Sequence, residues 1–232
     1  MLRNDHLISL LFWSSTTIVL YLVARLVHRR WPLWWTSPLM TTPVILVALA
    51  VVLHASYHEY IRGTHWLMVL LGPATVAFAV PIYEQRALIR RFWPVLIVSV
   101  LVGSVTAMAS AWSLATLFGL SDSMRLSLLP RSVSTPFAMA VSSDIGGRPD
   151  LTAVFVVFTG VFGAAVGEAL MALLPLKSAT ARGALFGMGA HAAGVAKANR
   201  MGQEEASIAG LVMVLAGLVN VLAAPLVAQV LR

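Results

Sequence analysis

Cysteine is absent from the 232 residues, which excludes a disulfide framework, thiolate chemistry and any Cys-ligated metal. Charge is nearly as scarce. Lys, Arg, Asp and Glu make up 11% of positions, where a soluble domain carries about a quarter. The sequence also has no GxSxG elbow, HExxH, P-loop or dinucleotide fingerprint, so no catalytic residues are assigned and the chain is not read as an enzyme. His54 and His58 stand four residues apart, but with no Cys and a polar loop around them no metal site is assigned.

What is present is apolar. Hydrophobic residues reach 59% and the mean hydropathy is +0.87, which marks an integral membrane protein. At about 20 residues per crossing, the predicted fold is an all-α polytopic protein of 7–8 membrane segments in one domain, 1–232. The net charge of +7 does not indicate nucleic acid. The cations sit in clusters at the ends of apolar runs, Arg25–Arg30 and Arg86–Arg91 among them, as cytoplasmic loops do. The N-terminal run 7–24 carries no charge or cleavage-site pattern and is expected to be a retained span. Residues 38–53 form the next span, and 54–65 read as a polar outer loop.

Three stretches interrupt the apolar pattern. The first, LGPATVAFAVP at 71–81, brackets Thr75 between prolines. The second, LPRSVSTPFAMAVSSDIGG at 129–147, places Arg131, Ser132, Ser134 and Thr135 just before Pro136, where the helical basin is disfavoured. The third, GALFGMGAHAAGVAKANRMGQEE at 183–205, is rich in Gly and carries His191 and Lys197. Non-helical backbone at membrane depth survives only where it is packed in protein or lines a watery cavity. The first two stretches suggest two loosely related halves, about 1–121 and 122–232, each with a broken or re-entrant helix, an arrangement that points to a transporter with its site between the breaks.

An intramembrane Arg costs roughly 2.5–3.5 kcal/mol on insertion scales and calls for a partner. A substrate carboxylate suits Arg131, whose fork can bond it twice. Ser132, Ser134 and Thr135 would bond its oxygens, His191 would complete the site from the third stretch, and Thr75 would line it from the first. The bland alternatives are a snorkelling Arg131 and a His191 bonded to a neighbouring carbonyl. Lys197 and Glu168 are secondary candidates whose default roles are snorkelling and helix-end solvation. Whether 130–150 crosses the membrane or returns to the outer face is left open by the charge counts.

The stretches 71–85, 130–164, 181–198 and 203–218 resemble the LrgB/CidB family of bacterial inner-membrane proteins, from about residue 30 onward. The Ser-x-x-Thr-Pro and Gly-x-His patterns are the specific part. The resemblance implies a multi-pass protein of the bacterial inner membrane, encoded beside a small holin-like partner and described as a modulator of murein hydrolase export and autolysis. Plant relatives are plastidal glycolate/glycerate translocators, and some bacterial members are linked to pyruvate uptake. Arg131 stands where many relatives have Lys, and the residue before His191 is Ala where relatives more often have a hydroxyl. The first expectation is therefore a secondary transporter of small monocarboxylates (glycolate, glycerate, lactate or pyruvate), with no cofactor and with H⁺ or Na⁺ as the candidate coupling ion. The alternative is a holin-like or antiholin-like protein acting through a small partner. The bilayer and a second copy of the chain are the remaining expected partners.

Overall fold

The computed structural model describes residues 2–31, 33–77 and 79–230, without the side chains of 2–8, 34, 71, 74, 75, 81 and 82. The elements are α1 (Leu2–Arg30), α2 (Pro38–Val52), α3 (Tyr57–Val69), α4 (Leu71–Ala77), α5 (Ala79–Glu84), α6 (Arg86–Leu117), α7 (Asp122–Leu128), α8 (Thr135–Ile145), α9 (Pro149–Leu173), α10 (Ala179–Ala198) and α11 (Gln203–Val230). Among the described residues there is no strand, and four helices are long and apolar enough to cross a membrane, within α1, α6, α9 and α11. The chain divides into two compact units, 1–74 and 75–232.

In the first unit α1 packs on α2 and α3. The expected polar loop at 54–65 is largely helix. Ser56 and Glu59 form a capping box that starts α3, satisfying two of the amides a helix N-terminus leaves unpaired. Helix α3 is fixed to α1 where the Ser14 hydroxyl donates to the Gly63 carbonyl at 2.8 Å and accepts from Trp66 Nε1 at 2.7 Å. Trp13 lies edge-on to Tyr60.

The second unit is organised on α11, whose inner face (Ile208, Leu211, Val212, Ala216) is buried with Leu96, Val100, Val133, Phe137, Ala138 and Val156. Helix α6 runs parallel to α11. Its early residue Leu96 lies in that cluster, Ser104 accepts from Asn220 at 2.8 Å, and Met108 and Trp112 pack beside Ala224. The helix begins at Arg86, inside the cation cluster, and is kinked at Phe92, which leaves the helical basin.

Two elements double back on themselves. The first comprises α7, a 3-10 turn (Leu129–Ser132) and α8. Its entry and exit lie side by side: the Arg148 amide donates to Ser127 Oγ at 2.8 Å, and Thr152 Oγ1 lies 2.9 Å from the Ser127 carbonyl and 2.7 Å from Ser142 Oγ. The reversal is made by Val133 and Ser134, both extended. Gly146, with φ +89°, ends α8, a left-handed cap that glycine takes without strain.

The second is α10, which is two helical arms joined at His191 (φ 45°, ψ −125°). Gly183 and Gly187 lie against the Glu205 and Ala209 carbonyls of α11, so the first arm runs parallel to α11. After His191 the direction reverses, because Gly194 packs onto the carbonyl of Phe186. In one continuous helix those two residues would be about 12 Å apart. Helix α9 runs antiparallel to the first arm, with Gly167 on the Phe186 ring and Gly163 on Gly189, as the Gly-x-x-x-Gly spacing predicts.

Candidate functional site

The turns of the two hairpins meet. Helix α10 packs on the 3-10 turn, and the His191 imidazole stands against the backbone of Ser132 within the electrostatic reach of Arg131. Of the predicted site residues, the fold therefore brings Arg131, Ser132, Ser134, Thr135 and His191 into one region. Each is placed by a local cause. Pro130 sits in the first turn of the 3-10 segment and Pro136 in the first turn of α8, positions where a missing amide costs nothing. Between them the chain has to extend, and Ser134 becomes the N-cap residue of α8.

Ser134 does not cap. Its hydroxyl makes no bond to the α8 amides, although it is 4% exposed and Ser is among the best capping residues. Among the described residues Ser134 Oγ is a buried atom with no hydrogen-bond partner, and so is Nε2 of His191, itself 2% exposed. Leaving such a group unpaired costs about 1–3 kcal/mol. The backbone at His191 adds to this, since a non-glycine residue at positive φ costs of order 1–3 kcal/mol and collects at functional sites. Arg131 is half-buried, and among the described residues it makes no ion pair. Ser132 and Thr135 are half-buried beside it. A cation, unspent hydroxyl and imidazole groups and the N-terminus of α8 together suit a small anion.

Gly160 on α9 is buried against the same turn: a Cβ there would sit 3.4 Å from the Ala190 carbonyl and 3.6 Å from His191 Nδ1, both ordinary contacts. Gly160 is a site neighbour that the residue types alone did not reveal; its place in the Gly-rich face of α9 was the available signal.

The secondary candidates belong elsewhere. Lys197 is ion-paired with Glu168 of α9, six residues and about 9 Å of helix beyond His191. Glu168 thus has a cationic partner. The side chain of Thr75 lies outside the described residues. No group of three or more His, Cys, Asp or Glu able to hold a metal occurs among the described residues.

The family model described as the LrgB-like family matches residues 17–230. The chain belongs to the LrgB-like family. It is 39% identical to the protein YwbG of Bacillus subtilis over 90% of this chain and 93% of that one. It is 32% identical to the antiholin-like protein LrgB of the same species, over 84% of each chain. It is 28% identical to the holin-like protein CidB of Staphylococcus epidermidis, over 94% of each. No solved structure matches the chain. With its apolar helices, membership makes this LrgB-like chain a multi-pass membrane protein.

Proposed function

We propose that this LrgB-like protein binds a small monocarboxylate between the two hairpin turns and carries it across the bacterial inner membrane. The observation that carries the reading is the pair of buried polar atoms, Ser134 Oγ and His191 Nε2, that have no partner among the described residues, close to an Arg131 that makes no ion pair with those residues. Arg131 neutralises the carboxylate, Ser134 and His191 bond its oxygens, and Ser132, Thr135 and, from the first stretch, Thr75 serve a 2-substituent. No catalytic step or cofactor is involved, and H⁺ or Na⁺ supplies the coupling.

Both hairpins are re-entrant in this reading, which brings the count of membrane segments to the expected seven or eight. Helices α6 and α11 start, α9 ends and the α10 hairpin opens on one side, with Arg86, Arg90, Arg91, Lys177, Arg182, Lys197 and Arg200. The α7–α8 hairpin opens on the other, with Arg125 and Arg148. Positive charge favours the cytoplasm, so the α10 hairpin enters from the cytoplasm and the α7–α8 hairpin from outside.

The second reading is a holin-like or antiholin-like protein that modulates murein hydrolase export with a small membrane partner or a second copy of itself. The names of the relatives favour this reading over transport. It needs no buried anion site, and that is where the two part. Uptake of radiolabelled glycolate, glycerate, lactate and pyruvate into proteoliposomes, compared with the R131Q and H191A variants, tests the proposal. Saturable uptake of one acid that both variants lose supports it. Absence of uptake under both proton and sodium gradients hands the function to the partner-dependent reading, and uptake surviving both substitutions removes the site.

A further inference from the structure

The two hairpins are held by different physics. The α7–α8 hairpin is riveted. Thr152 of α9 reaches both of its arms through Ser127 and Ser142, and all three residues are fully buried. Its return arm buries Phe137, Val141 and Ile145, with the Phe137 ring seated on Gly217 of α11. Dry hydrogen bonds and large apolar side chains resist local opening.

The α10 hairpin has one such anchor, Phe186, which is seated on Gly167 and buried with Ala198 and Ala209, and is otherwise held by small residues. Its first arm meets α11 through Gly183 and Gly187, and α9 meets it through Gly163 and Gly167, so few large side chains interlock there. Its return arm, 192–198, is built almost wholly of Ala and Gly and buries little apolar area. At its mouth it is held by two ion pairs. Arg182 of the first arm bonds Glu205 of α11 through Nε at 3.2 Å and Nη2 at 2.5 Å, and also donates to the Leu176 and Lys177 carbonyls. Lys197 of the return arm pairs with Glu168 of α9. Each arm is thus latched to a different long helix, the return arm by an exposed Glu168 and the first arm by a Glu205 that is buried beneath Arg182.

We propose that the α10 hairpin is the moving gate of this protein, latched at its mouth by Arg182–Glu205 and Lys197–Glu168, while the α7–α8 hairpin is the fixed wall it closes against. What it gates rests on the anion-site reading above. Opening withdraws His191 from Ser132 and uncovers Ala209 of α11, which is 0% exposed beneath Gly187.

The absence of native cysteine makes the test direct. A209C reports on the face under the gate, and A138C on an equally buried residue in the return arm of the riveted hairpin. Each is made in the full chain in proteoliposomes, alone and with E168Q/E205Q, and labelled with a membrane-permeant maleimide. The expected result is slow labelling of A209C that rises roughly tenfold when both latches are broken, with A138C inert in both backgrounds. Equal inertness of the two reporters without the latches, or an equal rise in both, would overturn the gate; a rise confined to A138C would make the other hairpin the moving part. If A209C fails to fold, A198C on the return arm, also fully buried, reads the same opening. Labelling needs no substrate. A rise with no anion binding would keep the gate and sink the anion reading, whereas binding with no rise would keep the site and sink the gate.

Discussion

Removing one oxygen atom, in S134A, separates a binding residue from a structural one by the sign of its effects. An N-cap Ser replaced by Ala ordinarily costs about 0.5–2 kcal/mol of stability. Here the side chain makes no cap bond and its oxygen is buried without a partner, so there is no cap to lose. A desolvation cost of about 1–3 kcal/mol is relieved instead. The variant free of anion is expected to melt at the same temperature as the parent or a few degrees above it. A hydrogen bond to a charged acceptor contributes about 1.5–3 kcal/mol, so affinity for the transported acid should fall roughly 10- to 150-fold. Thermal unfolding in detergent, with and without acid, and titration calorimetry measure both quantities on one sample. A melting temperature that drops while affinity is unchanged would show Ser134 to be an ordinary capping residue and would remove the main support for the site.

The other expected outcomes test the hairpins. H191G should be more stable than H191A, because glycine relieves the positive φ that costs about 1–3 kcal/mol; both should lose anion binding, and equal melting temperatures would show that no strain is held there. G194A puts a Cβ into the Phe186 carbonyl, whose carbon would lie at 2.7 Å. Overpacking of about 1–3 kcal/mol should outweigh the roughly 1 kcal/mol of helix propensity that Ala gains, so the variant should melt lower. T152V removes the hydroxyl that ties Ser127 to Ser142 and should cost about 1–3 kcal/mol while leaving anion affinity within about twofold, since no site residue is touched.

How much of this was legible in the sequence follows the range of each interaction. The break at 133–134 is a local consequence of Pro130 and Pro136 and was readable from them, as was the weak spot at His191 from the glycines around it. That α10 folds back, rather than bending, depends on Gly194 meeting the carbonyl of Phe186, a contact made only once the chain has turned. The pairing of Lys197 with Glu168 was hidden for the same reason, because it exists only in the reversed arm. The helical nature of 57–69 was missed for a different one. Its polarity reads as a loop, although Ser56-x-x-Glu59 carries the capping-box pattern that starts α3.

The site's costs bear on the choice between the two functions. A hydroxyl and an imidazole nitrogen left unpaired in a dry interior, a half-buried guanidinium with no carboxylate among the described residues and a left-handed histidine all destabilise the protein in the anion-free state. A protein whose task is to assemble with a partner gains nothing from these, since a threaded helix of Leu and Ala would present the same lipid-facing surface at lower cost. A binding site gains from each of them, because a donor with no competing partner offers its full hydrogen bond to the ligand. Among the described residues, two of the four buried unpartnered side-chain atoms and one of the two non-glycine residues at positive φ fall at these turns, while Thr42 Oγ1, Arg125 Nε and His54 lie elsewhere in the chain. The cluster at the turns favours a site kept open for an anion, whichever cellular process the anion serves.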